Sequence, residues 1–198
     1  MTAISARRGD WMQTVSGIQF WPLDPRPEEI EIGDIAHALS NICRFGGHSR
    51  WFYSVAEHSV IVSENVSDNH RLTALLHDAT EAYLGDMIRP LKRCMPIYRE
   101  AERLLWLAVA AKFGLPSEIP SEVTLADNRL LLNEKAVLTG PEPAPWGVAQ
   151  IGASEPLNGV LIRCLGPKAA FHKFIGAFES ITGASVPLWP PYLAEVSS

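Results

Sequence analysis

The stretch Ala74-Leu75-Leu76-His77-Asp78-Ala79-Thr80-Glu81-Ala82 decides how the chain is read. Its alanines and leucines recur with the period of a helix that buries one face. His77 and Asp78 interrupt that face. Neighbours on a helix diverge by about 100°, so one of two adjacent polar groups reaches solvent easily and both do not. Glu81, four residues after His77, stands one turn further along the same face. The pattern predicts a helix over about residues 71–84, capped by Gly85.

Working outward, Ser54-Val55-Ala56-Glu57-His58-Ser59 begins another helical run to about residue 66. A lone histidine among valines is more often a core residue than a ligand. Before it, Ile35, Ala38, Leu39 and Ile42 mark a helix from Asp34, broken by Gly46-Gly47. After it, Pro96 opens a long helix to about Phe113, which Gly114 and Pro116 end. Ser121 and Glu122 start a leucine-rich helix that carries Asp127, an acid with few partners nearby in sequence. A last helix spans about residues 167–182. Trp11, Phe20 and the alternation Ile30-Glu31-Ile32 read as one or two short strands or an extended lead-in. Residues 141–158, rich in proline and glycine, read as a surface loop or lid. The expectation is an all-α helical bundle with a small N-terminal β element, one domain over residues 1–198.

Composition narrows the function. The chain has 198 residues, 47% of them hydrophobic and 20% charged, enough to fold without a metal or disulfide. A metal site therefore needs a functional explanation. The net charge is −5, with 17 basic against 22 acidic residues and no long run of either sign. That argues against a nucleic acid polymer or an anionic membrane as partner, and leaves room for a local basic pocket. Cys43, Cys94 and Cys164 are far apart and outside any CxxC pair, so they read as reduced thiols. Met1–Gly17 has no apolar region of a secretion signal, and the longest apolar stretch, Leu104–Ala111, is too short to span a bilayer. A cytoplasmic protein is expected.

His58, His77, Asp78 and Asp127, on three helices, together supply two imidazoles and two carboxylates. This mixed nitrogen and oxygen set, without thiolate, suits one borderline or hard divalent ion such as Co, Mn, Zn, Fe or Mg.

The series Arg44-Phe45-Gly46-Gly47-His48, Tyr53-Ser54-Val55-Ala56-Glu57-His58-Ser59, His77-Asp78-Ala79-Thr80-Glu81, Gly85-Asp86 and Ala126-Asp127 resembles the HD-domain phosphohydrolases. Within them it is closest to the 5′-deoxynucleotidase-like branch, over about residues 17–140. The resemblance implies an all-α HD bundle in which His58, His77, Asp78 and Asp127 hold the metal. It implies that Glu81 is catalytic, orienting or deprotonating the attacking water. Arg44 and Lys92 match phosphate-binding positions, and Asp86 a contact to the sugar 3′-hydroxyl. Phe45 stands where the branch has a tryptophan that separates deoxyribose from ribose. His48 has no counterpart, and is read as a phosphate contact, a proton donor or the cap of a turn. A homodimer is common in the family.

Other residues have plainer readings. Arg50 and Trp51 could form a stacking wall, and Glu57 could orient an imidazole. His37 and His172 read as structural, and His70 as a surface residue at a helix start. No histidine lies between Asp78 and Asp127, where binuclear HD enzymes place further ligands, so a mononuclear hydrolase is implied. The expected activity is release of phosphate from deoxynucleoside 5′-monophosphates. The alternatives are a deoxynucleoside triphosphate hydrolase of the same fold and a non-catalytic nucleotide-binding module stapled by the metal. Glu81 argues against the last, because a staple needs no further carboxylate on the ligand helix.

Overall fold

The computed structural model describes residues 7–147 and 152–187. Helix α2, Val55–Ser63, lies at the centre, and every one of its residues is buried. Its sequence requires that place. Val55, Ala56, Val60, Ile61 and Val62 leave no polar face, so the helix is stable only when enclosed on all sides. The Ser54 hydroxyl starts it by accepting the Glu57 N–H at 3.1 Å. The enclosing helices are α1 (Ile32–Asn41), α3 (Arg71–Leu76), α7 (Ser121–Leu138) and, at the far end of the sequence, α8 (Pro167–Thr182).

Two apolar cores result. One joins Ile35, Leu39, Val60, Leu75, Leu105, Phe171 and Phe174; the other joins Tyr53, Ile61, Val62, Ala74, Leu130 and Leu138. Truncating one of these buried leucines or isoleucines to alanine costs about 2–5 kcal/mol. Helix α6 (Pro96–Phe113) has proline in its first turn and ends at Gly114, whose φ of 67° only glycine adopts cheaply. The β element is a pair of short antiparallel strands, β1 (Met12–Gln13) and β2 (Gln19–Phe20), with Met12 opposite Phe20. The fold class is all-α with a small β element, as the periodicity predicts.

Three local expectations are corrected. The helix expected over residues 71–84 is two, α3 and α4 (Glu81–Leu84), separated by a turn at residues 77–80. The cause is local: His77 Nδ1 takes the Ala74 carbonyl at 2.7 Å, the acceptor that the Asp78 N–H would use in an unbroken helix. The backbone tightens to i→i−3 bonds, Ala79 to Leu76 and Glu81 to Asp78. Of the two readings of Ile30-Glu31-Ile32, the extended lead-in holds and the strand does not: Ile30 and Glu31 are extended between a 3-10 turn at residues 27–29 and Ile32, which opens α1. Arg89-Pro90-Leu91-Lys92, which reads in the sequence as a connector, is a short helix, α5 (Arg89–Lys92).

Of the loop expected at 141–158, the described part forms neither helix nor strand, and residues 148–151 lie outside the described residues, as does the tail from 188. No helix of the described residues is long and apolar enough to cross a membrane.

Candidate metal centre

Three elements bring their polar side chains to one point: α2 with His58, the turn after α3 with His77 and Asp78, and α7 with Asp127. Ligand atoms of His58, His77 and Asp127 all lie within 4.8 Å of one another. His58 Nε2 is 3.3 Å from His77 Nε2, 3.3 Å from Asp127 Oδ1 and 3.5 Å from Asp78 Oδ2. His77 Nε2 is 3.3 Å from Asp78 Oδ2. Atoms about 2.1 Å from one cation stand about 3.0 Å apart at right angles and about 3.4 Å apart at the tetrahedral angle. The four separations of 3.3 to 3.5 Å are close to the longer of these.

The hydrogen bonds turn both imidazoles the same way. His58 Nδ1 is 2.6 Å from Glu134 Oε1, and His77 Nδ1 is 2.7 Å from the Ala74 carbonyl oxygen. Both partners accept, so each Nδ1 carries hydrogen and each Nε2 faces the common point. His58, His77 and Asp127 thus form a group able to hold a metal ion. Without a cation, His58 Nε2 binds a proton instead. Burial and the Arg44 charge push the His58 pKa down, the Glu134 and Asp127 carboxylates push it up, and it lies at about 9. Burial alone would raise Asp127, but the His58 hydrogen bond and the charges of His58, His77 and Arg44 hold it well below the usual carboxylate range.

Around this point stand most of the other residues singled out in the sequence. Arg44 is buried, with one guanidinium nitrogen 3.5 Å from Asp78 Oδ2 and another 3.2 Å from Glu134 Oε2, while its Nε has no hydrogen-bond partner among the described residues. The next residue, Phe45, sits at φ 58°, unusual for a side chain of its size, inside the 3-10 turn Arg44–Gly47. Glu81 opens α4 with Oε2 buried and, among the described residues, unpartnered. Burial first, then the Asp78 and Asp86 charges, push its carboxyl well above the usual range. Asp86 is raised as well, chiefly by burial. Arg44, Phe45, Asp78, Glu81, Asp86, Lys92 and Asp127 line one cavity of about 440 Å³. Lys92 is also ion-paired with Glu102.

Other residues are not brought there. His48 is exposed and outside the cavity lining; its N–H closes the turn on the Phe45 carbonyl at 3.1 Å. Arg50 and Trp51 are exposed and build no wall of the cavity. Glu57 is not the carboxylate that orients an imidazole. It accepts the backbone N–H groups of Arg163 and Leu165, each at 2.7 Å.

A protein of Escherichia coli K12 named YfdR is 38% identical over 173 residues, 87% of this chain and 96% of that one. The chain belongs to the YfdR family. A second relative of this YfdR-type chain, from Rhodobacter capsulatus, is 42% identical over 126 residues, 59% of this chain and 64% of that one. Both relatives are named as uncharacterized proteins. No model of a known protein family matches.

Two residues of this YfdR-family site escape the reading of the sequence. Glu134, fully buried, bridges His58 and Arg44 from α7. The signal for it is spacing, since it lies seven residues and about two turns after Asp127 on one face. Arg89, from α5, donates to Asp127 Oδ2 at 2.9 Å and to Asn128 Oδ1 at 3.2 Å, and it lines the cavity. Nothing in its local sequence marks it.

Proposed function

We propose that the chain is a metal-dependent phosphohydrolase of the HD-domain type, acting on nucleotides and releasing phosphate from deoxynucleoside 5′-monophosphates. The observation that supports this most is that Asp127, one of the His58, His77 and Asp127 group, lines the same cavity as Arg44, Glu81 and Lys92. Asp78, within 3.5 Å of both imidazoles, completes the ligand set in this reading. A bound divalent ion supplies Lewis acidity to a phosphoryl oxygen and to water.

The chain's own groups do the rest. Arg44, anchored at Asp78 and Glu134, turns its guanidinium toward the equatorial phosphoryl oxygens, and Lys92 adds a second cation. Glu81 handles protons at Oε2. In its protonated form it gives a proton to the departing 5′-oxygen, and as carboxylate it takes one from the attacking water. The balance is one ester and one water consumed for one alcohol and one inorganic phosphate. Asp86, beside the same cavity, is placed to accept a hydrogen bond from the sugar.

One observation favours a second reading, hydrolysis of deoxynucleoside triphosphates. A further cavity of about 620 Å³ shares Asp78, Lys92 and Asp127 with the first and is lined by Arg99 and Arg103, room for a longer phosphate chain. Release of phosphate and of tripolyphosphate from deoxynucleoside mono-, di- and triphosphates, measured side by side with metal-loaded protein, tests both. Turnover of monophosphates supports the first reading, turnover confined to triphosphates the second, and no turnover of any of them overturns both.

A further inference from the structure

Helix α7 presents Asp127, Leu131 and Lys135 four residues apart, along one face about 12 Å long. Asp127 belongs to the metal group and Leu131 lines the 440 Å³ cavity. Lys135 holds the indole of Trp146, which lines the same cavity from the segment after α7. The hold is made of two contacts. Lys135 Nζ lies over the Trp146 ring, 5.4 Å from its centroid. Lys135 also pairs with Glu142, four residues before Trp146.

An exposed loop tryptophan needs no such arrangement. Here a large flat side chain is held by Lys135, two helical turns along α7 from Asp127, and the cavity it lines is also lined by Leu131, Met87, Ile88 and Phe45. The lining combines charged groups, Asp127 and Arg44 among them, with aromatic and apolar ones, Trp146 among them. A phosphate against the first, a pentose beside Asp86 and a flat heterocycle against the second fill that cavity. We infer that Trp146 is the platform on which the nucleobase of the substrate stacks, and that Lys135 and Glu142 hold the platform in place. The inference rests on the nucleotide reading of the site and adds to it what recognises the base.

The character of the contact sets the expected specificity. Stacking on an aromatic face accepts every base, since each has a π surface. Purine and pyrimidine nucleotides are therefore both substrates, and loss of the indole weakens all of them together.

The test compares deoxyadenosine 5′-monophosphate with 2-deoxyribose 5-phosphate, which lacks a base, in wild type, Trp146→Ala and Trp146→Phe. The ratio of their kcat/KM values is expected to fall by about 5- to 150-fold in Trp146→Ala, through KM, and to recover in part in Trp146→Phe. An unchanged ratio overturns the inference. Calorimetric binding of deoxyadenosine 5′-phosphorothioate to wild type and Trp146→Ala separates this from the catalytic reading. Binding weakened by the substitution, in a protein that hydrolyses no ester, keeps the platform and removes the hydrolase. Hydrolysis with binding indifferent to the substitution keeps the hydrolase and removes the platform.

Discussion

Glu134 Oε1 lies 2.6 Å from His58 Nδ1, while Glu134 Oε2 takes an Arg44 N–H at 3.2 Å, so one buried carboxylate holds both the His58 imidazole and the Arg44 guanidinium. Such a partner sets the tautomer of the ring and its basicity, and its loss typically lowers metal affinity by about 10- to 100-fold. Glu134→Gln is expected to lose metal affinity in that range, read by competition with a chromophoric chelator. Glu134→Ala leaves Arg44 buried without its carboxylate and is expected to destabilise the protein by about 3–5 kcal/mol in urea unfolding. Wild-type affinity in Glu134→Gln would show that His58 is oriented by packing alone.

Glu81 separates a proton-handling role from a ligand role. Glu81→Gln keeps size and hydrogen-bonding reach but carries no exchangeable acid proton. The kcat on phosphate monoesters should fall by about 10²- to 10⁴-fold with metal content unchanged. Parallel loss of metal and turnover would make Glu81 a ligand.

Metal removal should abolish phosphate release without unfolding the chain. The helices enclosing α2 are held by apolar cores, and protonated His58 donates from Nδ1 to Glu134 and from Nε2 to Asp127 when no cation is bound. Far-UV circular dichroism of chelator-treated protein should keep its helical amplitude. Returning the ion at 100 times its Kd should add about 2.7 kcal/mol to the unfolding free energy. Undiminished turnover after exhaustive chelation would contradict the mechanism.

Acid stability has a separate marker at the surface. The Ser67 hydroxyl and then His70 hydrogen-bond Glu122 and lower its pKa from 4.5 to about 2, tying the start of α7 to the turn before α3. The folded value lies below the unfolded one. The contribution is therefore complete above pH 4.5 and is lost as the pH falls toward about 2. Glu122→Gln should be less stable than wild type at pH 6, and the gap should close as the pH approaches 2. A gap independent of pH would assign the effect to packing.

Much of this was legible in the sequence where one residue type has one local consequence. Pro96 and Gly114 bound α6, and Ser54 begins the helix that carries His58. His58, His77 and Asp127 stood out because polar groups inside apolar periodicity need partners. The break at residues 77–80 was hidden, since Ala79, Thr80 and Glu81 all suit a continuing helix and only the His77 to Ala74 bond ends it. Glu134 was hidden for the opposite reason: a glutamate in a charged helix looks solvated until the packing of α2 against α7 encloses it. His48 and Trp51 looked informative by proximity to Arg44, yet the turn at Phe45 and Gly46 carries the chain back out to solvent.

Glu57 binds the amides of Arg163 and Leu165 one residue before His58, so the helix that carries this histidine is fastened by chain that follows it by more than a hundred positions. A shortened protein ending at residue 158 would retain every residue of the motif, yet leave that carboxylate buried with no donor. The motif spells out a centre that the last helix and its approach must assemble, and swapping the segment between relatives would exchange part of the site's scaffold along with it.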